Sequence, residues 1–177
     1  MCPRLSIAAA GRSAEAEPWL PALWFEELQV SSARGEQARV AELESRIEQS
    51  IERHGGEMWR SALLMRRANT SCAAGKFGDA LEALAQLEQL AVTVGDARIL
   101  FTALRGRVVV AMQAGELTEA HRLLDLCRDH LRGRGLPVQD RDLLGLAYEL
   151  ALREGDLAIA EEFRGDCERF DTNALQE

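Results

Sequence analysis

The chain has 177 residues, 47% of them hydrophobic and 28% charged, with a formal net charge of −8. That balance suits one well-filled domain or a short array of repeats and excludes a disordered chain. Surplus acid argues against general nucleic-acid binding, which needs cations to neutralise phosphate, and Cys2, Cys72, Cys127 and Cys167 are too dispersed for a disulfide scaffold.

No apolar run approaches the ~20 residues of a membrane span. The opening MCPRLSIAAAG is too brief for a signal peptide, so a cytoplasmic location is expected. Aromatic residues make up 5% of the chain, and three of the four prolines fall within the first 21 residues. Leu, Ala, Glu and Arg, all good helix formers, dominate the rest. An all-α fold is expected.

In chain order, residues 1–17, rich in Ala, Ser and Gly, read as a flexible N-terminal arm. Helices are predicted over 19–33, 36–53, 57–74, 78–93, 97–114, 118–132, 140–154 and 157–170, with 171–177 as an acidic tail. Residues 18–170 are read as a single domain. The segment GRGLPVQ, 133–139, is the longest break, because its proline forbids a continuous helix. The 97–114 helix is apolar nearly all round and is expected to be the buried centre.

A period organises these helices. Gly35, Gly75, Gly115 and Gly155 are forty residues apart, and Gly55, Gly95 and Gly135 repeat the interval twenty residues out of step. Glycine just past a helix end takes the left-handed conformation without a Cβ clash, so it stops one helix and turns the chain. The first set is followed by Gly75-x-Phe77-x-x-Ala80, Gly115-x-Leu117-x-x-Ala120 and Gly155-x-Leu157-x-x-Ala160. In each, the large residue is expected to cap a hairpin core, and the alanine to let two helices approach. Leu84 and Leu87, Leu124 and Cys127, and Phe163 and Cys167 continue the apolar stripe. Gly35 opens a degenerate copy with Val40, Leu43, Ile47 and Ile51 as its stripe. Four hairpins, about 19–53, 57–93, 97–132 and 140–170, result.

The G-x-[FL]-x-x-A pattern resembles the turn between the two helices of a tetratricopeptide repeat. The likeness covers about residues 19–170 and is strict in the last three copies. The usual period of that family is 34 residues; forty points to its longer-helix variety, found in sensor arms of maltose-activator-like and peptide-sensing regulators. The usual Trp, Gly and Tyr of the first helix are replaced by Leu64, Ala68 and Ser71 in one copy. The resemblance implies a right-handed αα-hairpin solenoid whose first helices line a concave groove. By position the groove would hold Phe25, Gln29, Met65, Asn69, Cys72, Arg105, Val109, Met112, Glu149 and Leu152. The clamp with which some members hold a chaperone tail is not reproduced: Met65, Asn69, Gly106, Asp142 and Leu146 occupy its positions, and Asn69 alone matches.

Catalytic and metal chemistry find little footing. His121, Cys127 and His130 share one predicted helix, but a metal needs about four converging ligands. Cys127 and Cys167 lie forty residues apart in the repeat's small-residue slot, where a thiol packs as a small hydrophobe. Cys72 has no histidine at a spacing that would activate it. No enzyme, metal or cofactor is expected.

Charge is uneven. From Glu154 onward there are eight acids and two arginines, whereas 58–74 carries Arg60, Arg66 and Arg67, and 97–114 carries Arg98, Arg105 and Arg107, without an acid. This basic seam would either receive an acidic partner or pair with acids of the same chain. At the other end, Phe163, Cys167 and Phe170 are expected to be partly exposed and to offer a dimer or docking face. The function expected is non-enzymatic binding of a protein or peptide segment, as an adaptor; a secretion-type chaperone and a regulator's sensor arm for a peptide or small molecule are the alternatives.

Overall fold

A computed structural model describes residues 20–134 and 137–174, without the side chains of residues 137 and 170–174. The N-terminal arm, Gly135 and the side chain of Phe170 therefore lie outside the described residues. Among the described residues the protein is all-helical: α1 (Leu20–Ala33), α2 (Gln37–His54), α3 (Glu57–Ala73), α4 (Phe77–Val94), α5 (Ala97–Ala114), α6 (Leu117–Leu131), α7 (Pro137–Glu154) and α8 (Leu157–Ala174).

The hairpin turns are built alike. Gly35, Gly75, Gly115 and Gly155 all take φ between 71° and 78°. At each, the glycine N–H donates to the carbonyl three residues back, over 3.0–3.2 Å, and the next N–H donates to the carbonyl five back, over 2.8–3.0 Å. This is the Schellman arrangement, which satisfies carbonyls that a helix end would otherwise leave unpaired. The degenerate first copy keeps it, with Gly35 bonded to Ser32 and Glu36 to Ser31. The second set differs: the N–H groups of Gly55 and Gly95 reach back four residues, to the carbonyls of Ile51 and Ala91. Gly133, at φ 73°, is the left-handed residue after α6.

Two helix ends differ from the predicted ones. Helix α7 starts at Pro137, three residues before 140, because proline's preset φ and missing N–H suit a first helical turn. Helix α8 runs on to Ala174, past the predicted end at 170.

The chain forms two compact units, Met1–Leu63 and Leu64–Glu177, so their boundary falls inside α3. In the first unit Leu28 of α1, Leu43, Ile47 and Ile51 of α2 and Leu63 of α3 form the core, flanked by Trp24, Phe25, Val40 and Trp59. In the second unit α4 packs on α5, α5 on α6, α6 on α7 and α7 on α8, and α5 also packs on α7. One core joins Leu64 and Ala68 to Ala80, Leu84, Leu87, Ala103 and Val110. Another joins Phe101, Leu104, Val108 and Met112 to Leu123, Leu124, Cys127, Leu146 and Leu150. Helix α5 feeds both, as its all-round apolarity predicts.

The repeated alanine does what its size suggests: Ala80, Ala120 and Ala160 are at most 2% exposed. The large residue before it is less regular. Phe77 and Leu117 are half-buried against the two cores. Leu157, expected to cap a core, is instead 71% exposed; no described helix packs over that side of the start of α8.

The tightest approach in the second unit is between α4 and α5. A Cβ added to Gly106 would sit 2.5 Å from a Leu84 methyl, and Leu84 is itself buried with no room to retreat. Leu84→Ala should cost about 2–5 kcal/mol in denaturant unfolding, as buried leucine truncations do. Gly106→Ala should cost about 1–3 kcal/mol in the wild type by overpacking, although alanine is the better helix former. In the Leu84→Ala background the same change should stabilise, because its methyl then fills space; two equal effects would refute the contact.

Asp96 caps α5, accepting from the backbone N–H of Arg98 at 2.8 Å and of Ile99 at 3.4 Å. The Arg98 guanidinium, with these backbone donors, holds its carboxyl below the usual carboxylate range. A depressed folded pKa means stability that is present above the unfolded value and lost as pH falls through the folded one. Asp96→Ala should therefore cost about 0.5–2 kcal/mol at neutral pH, and its difference from wild type in thermal melts should shrink on acidification.

Candidate functional site

The residues assigned to a groove divide between the two units. Phe25 and Gln29 belong to the first: the Phe25 ring stacks on Trp59, centroids 5.5 Å apart, and Gln29 is exposed. The others lie on α3, α5 and α7 of the second unit.

On α3, Met65 and Cys72 are half-buried against the core around Leu84, while Asn69 is exposed. On α5, Val109 is half-buried against the core around Phe101, and Arg105 is half-exposed beside it one turn back. Met112 does not belong to this surface. It is 2% exposed and fully enclosed among α5, α6 and α7, because on a helix it falls on the core side shared with Val108. On α7, Glu149 is half-buried and Leu152 is 43% exposed.

Two polar links join α5 to α7. Arg105 faces Asp142, with Nε 3.6 Å from a carboxylate oxygen. Arg153 donates to the Met112 carbonyl at 3.1 Å and to Glu149 at 2.9 Å. Residue 105 meets 142 and 112 meets 153, so α5 and α7 run parallel. The first helices of successive hairpins thus lie side by side, as a groove built from them requires. Arg153 was not foreseen; an arginine in a last turn reads as a helix-end charge, and only the packing of α7 brings it to the end of α5.

Arg105 is the unusual member. Its Nε is buried and has no hydrogen-bond acceptor among the described residues, since 3.6 Å is an ion-pair distance and not a hydrogen bond. The rest of the seam on α5 is paired within the chain: Arg107 with Glu88 of α4 at 2.9 Å, and Arg98 with Asp96 at 3.1 Å. Of the two readings of that seam, pairing with the chain's own acids describes α5.

Two of the three histidines make structural contacts. His121 bonds to Glu154 at 2.8 Å, joining α6 to α7, and His130 meets the Ala97 carbonyl at 3.0 Å, joining α6 to α5. Among the described residues no three His, Cys, Asp or Glu side chains are grouped to hold a metal. No described helix is long and apolar enough to cross a membrane. On α8, Phe163 is half-buried against the last core and Cys167 is half-buried.

No protein family, no curated protein and no solved structure matches the chain.

Burial alone governs the two thiols that meet the cores. It pushes Cys72 up and Cys127 up to about 11, the reverse of what an activated nucleophile needs. In mildly alkaline solution Cys127 should resist iodoacetamide in the native state and react only after denaturation, by peptide mass spectrometry. Rapid native labelling would place it outside the core.

Proposed function

We propose that the protein is a non-enzymatic binder of protein or peptide segments, an adaptor that takes its partner on the face of α3, α5 and α7 in the second unit. The observation that carries this reading is Arg105. Its side chain is 38% exposed and sits only at ion-pair distance from Asp142, so the outer end of the guanidinium can donate to a partner's backbone carbonyl or carboxylate. One turn on from it is Val109, and the residues assigned to the same face include exposed Asn69 on α3 and exposed Leu152 on α7. Apolar contact with sparse polar groups suits an extended or helical segment. The likeness to tetratricopeptide hairpins and the parallel α5 and α7 support the same use. The Cys72 and Cys127 thiols, pushed up by burial, and His121 and His130, committed to helix contacts, speak for a binder over a catalyst.

A second reading, the sensor arm that takes a small ligand, has one observation in its favour: a small polar cleft in the first unit, taken up below.

The adaptor reading is tested by selecting peptides from a displayed random library on the full chain, then measuring their affinity for variants. Asn69→Arg and Leu152→Glu change exposed side chains, so folding is retained, and Arg105→Gln removes the charged donor. Each should weaken the selected peptides roughly tenfold or more, the scale of one charged hydrogen bond or one blocked contact. Arg132→Gln at the end of α6 should leave them unchanged. Peptides that bind all four variants equally would place the working surface elsewhere.

A further inference from the structure

In the first unit, α1 and α2 enclose a cleft of about 100 Å³. Drug-sized ligands occupy pockets of roughly 300–1,000 Å³, so this one has room for a small ion or group only. Arg46, Gln49, Ser50, Arg53 and His54 line it from α2, at spacings that put them on one helix face. Trp24 and Leu20 close it from α1.

The chemistry of the lining is one-sided. Arg46, Arg53 and the Trp24 indole can donate hydrogen bonds and cannot accept them. Among the described residues no acid lines the cleft, although α2 carries Glu42, Glu44, Glu48 and Glu52 and the chain is acidic overall. Glu42 approaches from the side and takes one nitrogen of Arg46. Arg53 meets no acid among the described residues. The Trp24 Nε1–H is buried and has no acceptor among the described residues. A buried donor of this kind is normally satisfied; the charged side chains that line the cleft with Trp24 are donors, while Gln49, Ser50 and His54 can donate or accept.

We propose that this cleft binds a small oxyanion, a phosphate or a carboxylate group, held by the Arg46 and Arg53 guanidinium groups beside the Trp24 indole, which reports on it. An acceptor-only, negatively charged group is the complement of a lining that donates and carries positive charge. The site is independent of the peptide-binding face, which lies in the other unit, so either can fail without the other.

The test is the indole N–H resonance of Trp24 in the full-length protein, distinguished from those of Trp19 and Trp59 by Trp24→Phe. Inorganic phosphate and acetate are titrated separately, against sodium chloride at matched ionic strength. Saturable movement of the Trp24 signal with either anion, and not with chloride, is expected. Tighter binding of phosphate than of acetate would identify a tetrahedral ligand, and the reverse a carboxylate. Arg53 is exposed, so Arg53→Gln should fold normally and weaken binding roughly tenfold, the loss of one charge-assisted contact. Arg105→Gln should leave it unchanged. No saturable movement at millimolar anion, or the same movement in Arg53→Gln as in wild type, overturns the proposal.

Discussion

The chain reverses direction at a left-handed glycine, and the rest of the described fold depends on how that reversal is held. The glycine N–H and the one after it bond back into the last turn, which spends two otherwise orphaned carbonyls and fixes where the next helix leaves. Because the geometry recurs at Gly35, Gly75, Gly115 and Gly155, the residue five positions on falls at a helix contact in each later copy. Ala80, Ala120 and Ala160 are buried for that reason, and a larger side chain there would force the hairpin open. The first copy shows the order of importance. It has lost the large residue and the alanine and has kept the turn.

Close approach is the second consequence. Helix α5 sits against α4 on one side and against α6 and α7 on another, and it reaches α4 through Gly106, which has no Cβ to hold Leu84 away. A helix in that position cannot leave its charged groups unpaired. Arg107 turns to Glu88, Arg105 toward Asp142, and the α5 end receives Arg153 from α7. These pairs are partly exposed, so each adds little stability. Their value is in register, since the Arg105 and Arg153 links hold the parallel α5 and α7 at one offset.

Both proposed sites lie where pairing among the described residues is incomplete. Arg105 keeps one buried donor without a described acceptor, and Trp24 keeps another. The first lies where α5 and α7 run side by side; the second belongs to a residue that lines a cleft with Arg46 and Arg53. Neither could be read from composition, because the chain as a whole is acidic. Both candidate sites are local and stand against a net charge of −8.

The sequence by itself determined the class, the eight described helices and most of the turn positions, because the signal is local and periodic: a glycine that recurs every forty residues at the end of an apolar stripe takes the left-handed turn, whereas Gly106, inside a stripe, stays helical. It also determined that α5 would be buried, since a helix apolar on every side has no face to give to water. Contacts between residues far apart were left to the tertiary structure. Met112 and Val109 look alike in sequence, yet one is enclosed by three helices and the other half-open, because a difference of three residues moves a side chain from the surface to the core. Leu157 copies Phe77 and Leu117 in sequence and finds no helix to cover it. Arg153 and Asp142 acquire their roles only when α7 is laid against α5. The one-sided lining of the cleft likewise needs α1 beside α2, since a helix sequence shows which residues share a face but not what that face meets.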